Sequence, residues 1–194
     1  TSTLDDSGEV LESFDMSGVT IEEGRRVIRE NLLGDIEQVP PMVSALKVDG
    51  KRLHEYAREG IEVERKARPV HIARFDIEES GTSGVWRMFA TCSSGTYVRT
   101  LADDLGRMLG GGAHIRTLRR HRVGRFTEAM CSSLDSPVLL PEVEMVSHLS
   151  RVDLDTETAA RVLNGAMLPA GMLFVGDGPW RVHDASGELL GVYE

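Results

Sequence analysis

Tyr97 and Arg99 stand two residues apart in the stretch Cys92-Ser-Ser-Gly-Thr-Tyr-Val-Arg-Thr-Leu-Ala-Asp-Asp-Leu-Gly106. An apolar strand pattern gives way there to a helical one, so both side chains are delivered to the turn between the two elements. Arginine keeps its charge, and a guanidinium held against a buried carboxylate favours the ionised form that burial would otherwise penalise. Tyrosine brings an aromatic body with a polar tip, suited to the rim of a pocket. Both residues have plain structural uses as well. Arg99 precedes Asp103 by four residues, the spacing of an ion pair along a helix surface. Tyr97 alone reads as a core aromatic whose hydroxyl is satisfied at the rim.

A second set of chemistry-bearing residues is cationic. Between Gly110 and Phe126 no Asp or Glu occurs, whereas Arg116, Arg119, Arg120, Arg122 and Arg125 fall there with His114 and His121. Lys47, Lys51, Arg52 and Arg58 form a looser group upstream, interleaved with Asp49, Glu55 and Glu59. The chain carries a net charge of −9, which argues against indiscriminate nucleic-acid binding because phosphate neutralisation needs Lys and Arg. A local basic block on an acidic body is the pattern of one RNA-facing surface. A solvated basic face without a ligand, or in the upstream group a salt-bridged hairpin, accounts for the same residues.

With 194 residues, 41% hydrophobic and 27% charged, the chain fits one domain plus a small appendage, or one large domain, of ordinary soluble composition. No apolar run has the length of a membrane span and no charged-then-apolar leader opens the sequence, so a cytoplasmic location is expected. Cys92 and Cys131 belong to no Cys-x-x-Cys pair, and two reduced, partly buried thiols are expected rather than a zinc site or a disulfide framework. Thr1 opens the chain inside a recognisable pattern, which points to the retained part of a longer polypeptide.

The elements that must position these residues follow from periodicity. Thr1-x-Thr3-x-Asp5-x-x-Gly8 and the short apolar alternation after it read as a turn and an edge strand. Thr20-Ile-Glu-Glu23 is a capping box, and Ile21, Val27, Ile28 and Leu32 make the buried side of a helix that stops at Gly34. Gln38 to Lys51 is a Pro-containing loop, and Tyr56 to Gly60 closes a short helix. Pro69 to Ile77, alternating Val70, Ile72, Arg74, Asp76 against His71, Ala73, Phe75, Ile77, pairs with Val85 to Cys92 as an antiparallel hairpin in a central sheet. Leu101, Ala102, Leu105, Met108 and Leu109 form a helical stripe ended by Gly110-Gly111-Gly112, a triplet without the Gly-Lys-Ser/Thr continuation of a phosphate loop. After a spacer at Ser136-Pro137, Val152 to Leu163 reads as an amphipathic helix. Leu173 to Val175, Trp180 to His183 and Leu189 to Tyr193 read as strands of a small β-rich tail.

Cys92 to Gly106, read with Leu118-Arg119-Arg120 and Gln38-Val39-Pro40-Pro41, resembles the bacterial TruB family of tRNA pseudouridine synthases, in that family's order and spacing from Thr1 to about Leu134. The resemblance implies an α+β fold with a mixed, mainly antiparallel central sheet and flanking helices. Residues 1–150 would be the C-terminal part of a catalytic domain, with an RNA-binding insertion near 38–66, and residues 151–194 a small PUA-like tail. It implies isomerisation of one uridine in the TΨC loop of tRNA, with no metal or organic cofactor, by a monomer needing no obligatory protein partner. Arg99 takes the position of the arginine that pairs with the catalytic aspartate, Tyr97 lies near the uracil, and Leu118 is the pocket-wall leucine. Lys47, Lys51, Arg52 and Arg58 fall on basic positions of the insertion; Arg116, Arg119 and Arg120 belong to the basic block expected to meet RNA.

Two departures matter. The family's Gly-His-x-Gly-Thr-Leu-Asp-Pro motif, which carries the nucleophilic aspartate, is not in this sequence, so the segment alone is expected to be inactive. Thr3-Leu4-Asp5 echoes it, but Asp6-Ser7-Gly8 follows, and the spacing instead matches a later Thr-x-Thr-x-Asp-x-x-Gly element; Asp5 is therefore not expected to be the nucleophile. His54 stands where the family usually has Tyr. The target uridine must leave its stack, at a cost of a few kcal/mol offset by contacts to base and phosphates. Rival readings are an RNA stem-loop-binding module without catalysis and a domain whose basic block binds an acidic protein.

Overall fold

The computed structural model describes residues 1–168, 171 and 178–194, and divides into two compact units, Thr1–Arg119 and Arg120–Glu194. In the first, helix α1 (Ile21–Asn31) starts at the expected capping box: Thr20 Oγ1 accepts from the Glu23 N–H at 3.3 Å and Glu23 Oε2 from the Thr20 N–H at 2.9 Å. Its Val27 and Ile28, with Leu32 beyond its end, pack on a three-stranded antiparallel sheet of order β1 (Gly34–Gln38), β4 (Arg68–Glu79), β5 (Trp86–Cys92). Helix α3 (Val98–Met108) adds Leu101 and Leu105 to the same core. Each aliphatic side chain so buried contributes about 1.5–3 kcal/mol.

The inward face of β4 differs from strict alternation. Val70, Ile72, Phe75 and Ile77 are all buried, because the register against β5 shifts between Ile72 and Arg74. One extra residue in a bulge moves the apolar set back to the core face, which a period-two reading cannot anticipate. Between β1 and β4 lie the two-residue strands β2 (Lys47–Val48) and β3 (Lys51–Arg52), then α2 (Leu53–Arg58). Asp49 and Gly50 join them with φ of 50° and 83°, the backbone an Asp-Gly hairpin turn requires. Residues 9–19 form no strand; the alternation there is short and finds no edge to pair with. The backbone on its N-terminal side is instead tied by Ser2 N–H to Glu9 O and by Asp6 N–H to Ile115 O.

The second unit opens with a hairpin, β6 (Arg122–Val123) and β7 (Phe126–Thr127), followed by a short 3₁₀ turn and helix α4 (Val143–Val146). Strand β8 (Ser150–Asp153) runs parallel to β9 (Trp180–His183), which pairs antiparallel with β10 (Leu189–Tyr193). Helix α5 (Thr156–Leu163) packs Ala159 and Val162 against Leu154 and Val182. The expected helix over 152–163 is thus a strand and then a helix. Asp155 accepts from the Thr158 N–H at 2.8 Å, and this cap fixes the start four residues later than periodicity suggests. The expected strand at Leu173–Val175 lies outside the described residues. Among the described residues no helix is long and apolar enough to cross a membrane.

Candidate active site

The turn from β5 into α3 sets the site. Gly95 takes a φ of 83°, where a Cβ would be strained, and Thr96 Oγ1 donates to Ser93 O at 2.9 Å. Tyr97 is the N-cap residue of α3, and the side chain of Gln38, at the end of β1 and only 2% exposed, holds it by both backbone groups. The Tyr97 N–H donates to Gln38 Oε1 at 2.8 Å and Gln38 Nε2 donates to Tyr97 O at 3.2 Å. A strand end and a helix start are thereby locked, and the direction of the first helical turn with them.

Arg99 lies in that turn. Its Nη1 donates to Thr3 O at 2.7 Å and to Asp5 Oδ2 at 3.0 Å, and its Nη2 donates to Val43 O at 2.7 Å. The side chains of Arg99 and Asp5 are 23% and 28% exposed. Arg99 does not pair with Asp103, whose carboxylate instead accepts from Arg107 Nε at 2.7 Å. Asp5 is heavily bonded: the Ser7 and Thr3 hydroxyls donate to it at 2.5 and 2.6 Å and the Ser7 N–H at 3.1 Å. Those bonds, Ser7 first and then Thr3, with a smaller contribution from the Arg99 charge, hold its carboxyl at about 2 against an ordinary 3.8. Asp5 is therefore an ionised partner at neutral pH.

The same contacts gather the chain around Arg99. Ile115 N–H donates to Leu4 O and Asp6 N–H to Ile115 O, so the segment holding Arg116 is laid beside the turn that bonds Arg99. Val43 belongs to the loop that leads into the β2–β3 hairpin. Arg99 is thus the node where the N-terminal turn, the 38–46 loop and the segment through Ile115 meet. Leu118, three residues further on, is 58% exposed rather than packed in the core.

The basic residues distribute as follows. Lys47, Arg52 and Arg58 are exposed on the hairpin and α2 and make no ion pair among the described residues. Lys51 bonds Glu59 and sits 4.7 Å over the Tyr56 ring. Arg116 and Arg119 are exposed at the end of the first unit; Arg120, also exposed, opens the second. In the second unit Arg125 pairs with Glu144, and His121 with Glu128. His54 has a structural task, since its N–H and its Nδ1 both donate to Ser44 O, at 3.1 and 3.0 Å. Sequence reasoning missed Asp5, Gln38 and Val43 as partners in this node. Each sits in a stretch it had singled out, but the pairing is between segments more than 50 residues apart. An open cavity of about 380 Å³ beside Met108, Leu109 and Gly110 lies at the opposite end of α3, about 16 Å away at 1.5 Å per residue.

Residues 1–98 match the model of the TruB family pseudouridylate synthase N-terminal domain, and residues 99–169 that of the tRNA pseudouridylate synthase B C-terminal domain. Among proteins named tRNA pseudouridine synthase B, that of Aromatoleum aromaticum is 50% identical over 150 residues, covering 72% of this chain and 48% of the relative. That of Ralstonia nicotianae is 41% identical over 209 residues, 99% of this chain and 66% of the relative. A chain in the crystal structure of a Cbf5–Nop10–Gar1 complex superposes with a TM-score of 0.60 at 24% identity, over 94% of this chain and 54% of that one; it speaks for the fold. The chain therefore spans about half to two thirds of the length of these relatives. On the two family matches and on identities of this size over nearly its whole length, the chain belongs to the TruB family of pseudouridine synthases.

Proposed function

We propose that this chain is the greater part of a tRNA pseudouridine synthase that acts on a uridine of the TΨC loop, with its nucleophilic aspartate supplied by a segment outside the 194 residues. The observation that carries the reading is Arg99: a half-buried guanidinium fixed at a helix start, bonded to two backbone carbonyls and one carboxylate. Five N–H groups make up a guanidinium. Three are used here, which leaves Nε–H and one Nη2–H for a second carboxylate.

The chemistry needs such a group. Breaking an N-glycosidic bond, turning the uracil and rejoining it through C5 calls for an oxygen nucleophile or ion-pair partner that can also leave, a task suited to a carboxylate. In a water-poor pocket that carboxylate would take up a proton, and a fixed positive charge keeps it ionised. Asp5 is already committed to Ser7, Thr3 and Arg99, and its role is to orient Arg99. Tyr97 and Leu118 line the space that receives the extruded base. Lys47, Lys51, Arg52, Arg58, Arg116, Arg119 and Arg120 contact the RNA backbone. The reaction requires no metal or organic cofactor, and the enzyme works as a cytoplasmic monomer.

Tritium release from 5-tritiated uridine in tRNA tests the reading. The 194-residue chain should release none. A fusion placing the N-terminal part of the Aromatoleum relative before Thr1 should release tritium without added metal. Binding of the T-arm by the fusion without release would favour a stem-loop-binding module instead.

A further inference from the structure

The loop over residues 38–46 is held by donors from three separate segments, and each takes a backbone carbonyl. Arg65 Nη1 donates to Pro40 O at 3.2 Å, Arg99 Nη2 to Val43 O at 2.7 Å, and His54 to Ser44 O. The last of these is double: the His54 N–H reaches Ser44 O at 3.1 Å and Nδ1 reaches it at 3.0 Å. Leu53 N–H donates to Leu46 O at 2.8 Å, so the first N–H groups of α2, which have no acceptor inside the helix, are spent on this loop. A carbonyl oxygen has two lone pairs. With two donors upon it the Ser44 carbonyl has a fixed direction, where a single bond would leave it free to tilt. Ser44 is 6% exposed and Pro40 and Pro41 are buried, so solvent is poorly placed to replace a lost donor.

Val43 and Ser44 are consecutive, and their carbonyls are taken by α3 and by α2 respectively. The two peptide planes share Ser44 Cα, and only the φ and ψ of Ser44 lie between them. Of the bonds on the Arg99 guanidinium, those to Thr3 O and Asp5 Oδ2 leave from Nη1, and the bond to Val43 O is made by Nη2. A planar fork held at one nitrogen can pivot, whereas a fork held at both has a set plane. The direction of the Val43 carbonyl therefore decides where the remaining N–H groups of Arg99 point.

We propose that His54 is a positioning residue for Arg99: its Nδ1–H locks the Ser44 carbonyl, and the adjoining Val43 carbonyl then aims the guanidinium at the carboxylate it must hold. This rests on the reading above of what Arg99 does. The lock belongs to this chain, since tyrosine, usual in the family at this place, carries its one hydroxyl at the far end of its ring and has no donor where Nδ1 stands. A carbonyl only accepts, so Nδ1 carries the proton, and in the neutral ring Nε2 is left as the acceptor. Asn and Gln separate the two ring positions. An Asn amide N–H stands as far from the backbone as Nδ1, and a Gln amide N–H as far as Nε2.

Two measurements test the lock. In the 194-residue chain the nitrogen resonances of the neutral His54 imidazole should show the proton on Nδ1. The side-chain Nε–H resonance of Arg99 should shift in His54→Gln and keep its parent position in His54→Asn. In the fusion described above, with enzyme saturating over tRNA, His54→Gln and His54→Ala should slow the single-turnover step by about tenfold, the size one net hydrogen bond commands. Affinity for the T-arm should move far less, and His54→Asn should recover most of the rate. A proton on Nε2, an Arg99 resonance that is alike in the Gln and Asn variants, or a His54→Asn enzyme as slow as His54→Gln would overturn the proposal. A rate loss matched by an equal fall in T-arm affinity would assign His54 to RNA binding and overturn it too. An inactive parent fusion would count against the proposed function alone, and the Arg99 resonance would still decide the lock.

Discussion

Replacing Asp5 by Asn keeps its shape and removes its charge, and the geometry allows the consequence to be worked through. The Asp5 carboxyl sits at about 2 against an ordinary 3.8, chiefly through the Ser7 and Thr3 hydroxyls and more weakly through Arg99. A shift of that size corresponds to about 2.4 kcal/mol at roughly 1.4 kcal/mol per unit. With 28% of the side chain open to solvent, screening reduces this to about 1–2 kcal/mol. The sign follows from the folded value being the lower one. On acidification the unfolded chain takes up its proton first, so the contribution is fully present above about pH 5, declines below about pH 4 and is gone below about pH 2. Asp5→Asn should therefore be about 1–2 kcal/mol less stable at pH 7, and the gap should close as pH falls to 2. Asp15 and Glu23 of the same unit are also depressed by hydrogen bonds from Ser17 and Thr20, but they titrate alike in both proteins and cancel in the difference. Urea unfolding followed by Trp86 fluorescence in a Trp180→Phe background reads the first unit. A variant as stable as its parent at pH 7, or a deficit that persists unchanged at pH 2, would refute the reasoning.

Other consequences are as direct. Gly106→Ala would place a Cβ 2.3 Å from Ala113 N and 2.5 Å from Gly112 C; backbone must move, and a loss of about 2 kcal/mol or more in a thermal or urea melt is expected. Gln38→Ala removes both bonds to the Tyr97 backbone and leaves the start of α3 unheld, which should cost about 1–3 kcal/mol by the same melts and slow exchange protection of the α3 amides should fall. Arg116→Ala and Arg58→Ala should each lower the salt slope of T-arm binding by about one unit if each meets one phosphate; titrations at several salt concentrations read it, and unchanged slopes would remove both from the interface.

How much could be seen in the sequence depends on the range of the interactions. The cap at Thr20, the stripe of α3 and the strands at 86–92, 180–183 and 189–193 rest on local periodicity and local hydrogen bonds, and they are where the residues put them. The bulge after Ile72 was not legible, because a bulge is decided by what the neighbouring strand offers. The helix expected from Val152 begins only at Thr156, since β9 captures Ser150–Asp153 as a parallel neighbour. At the site, Tyr97 and Arg99 were marked by motif and spacing. The partner of Arg99 was not: Asp103 is four residues away along the helix, whereas Asp5 is 94 residues distant in sequence and is brought close by the Asp5–Ile115 bridge. Leu118, which the resemblance marks as a pocket-wall leucine, is 58% exposed in this chain.

The central claim is that Arg99 keeps a catalytic carboxylate ionised, and single-turnover kinetics on the fusion with the Aromatoleum N-terminal part test it most directly. With enzyme saturating over 5-tritiated tRNA, Arg99→Ala should slow the chemical step by a hundredfold or more, as expected if the lost charge-assisted pair is worth about 3 kcal/mol. T-arm affinity should change much less, because the proposed phosphate contacts fall to other residues. A near-normal single-turnover rate for Arg99→Ala, or a loss confined to RNA binding, would contradict the account.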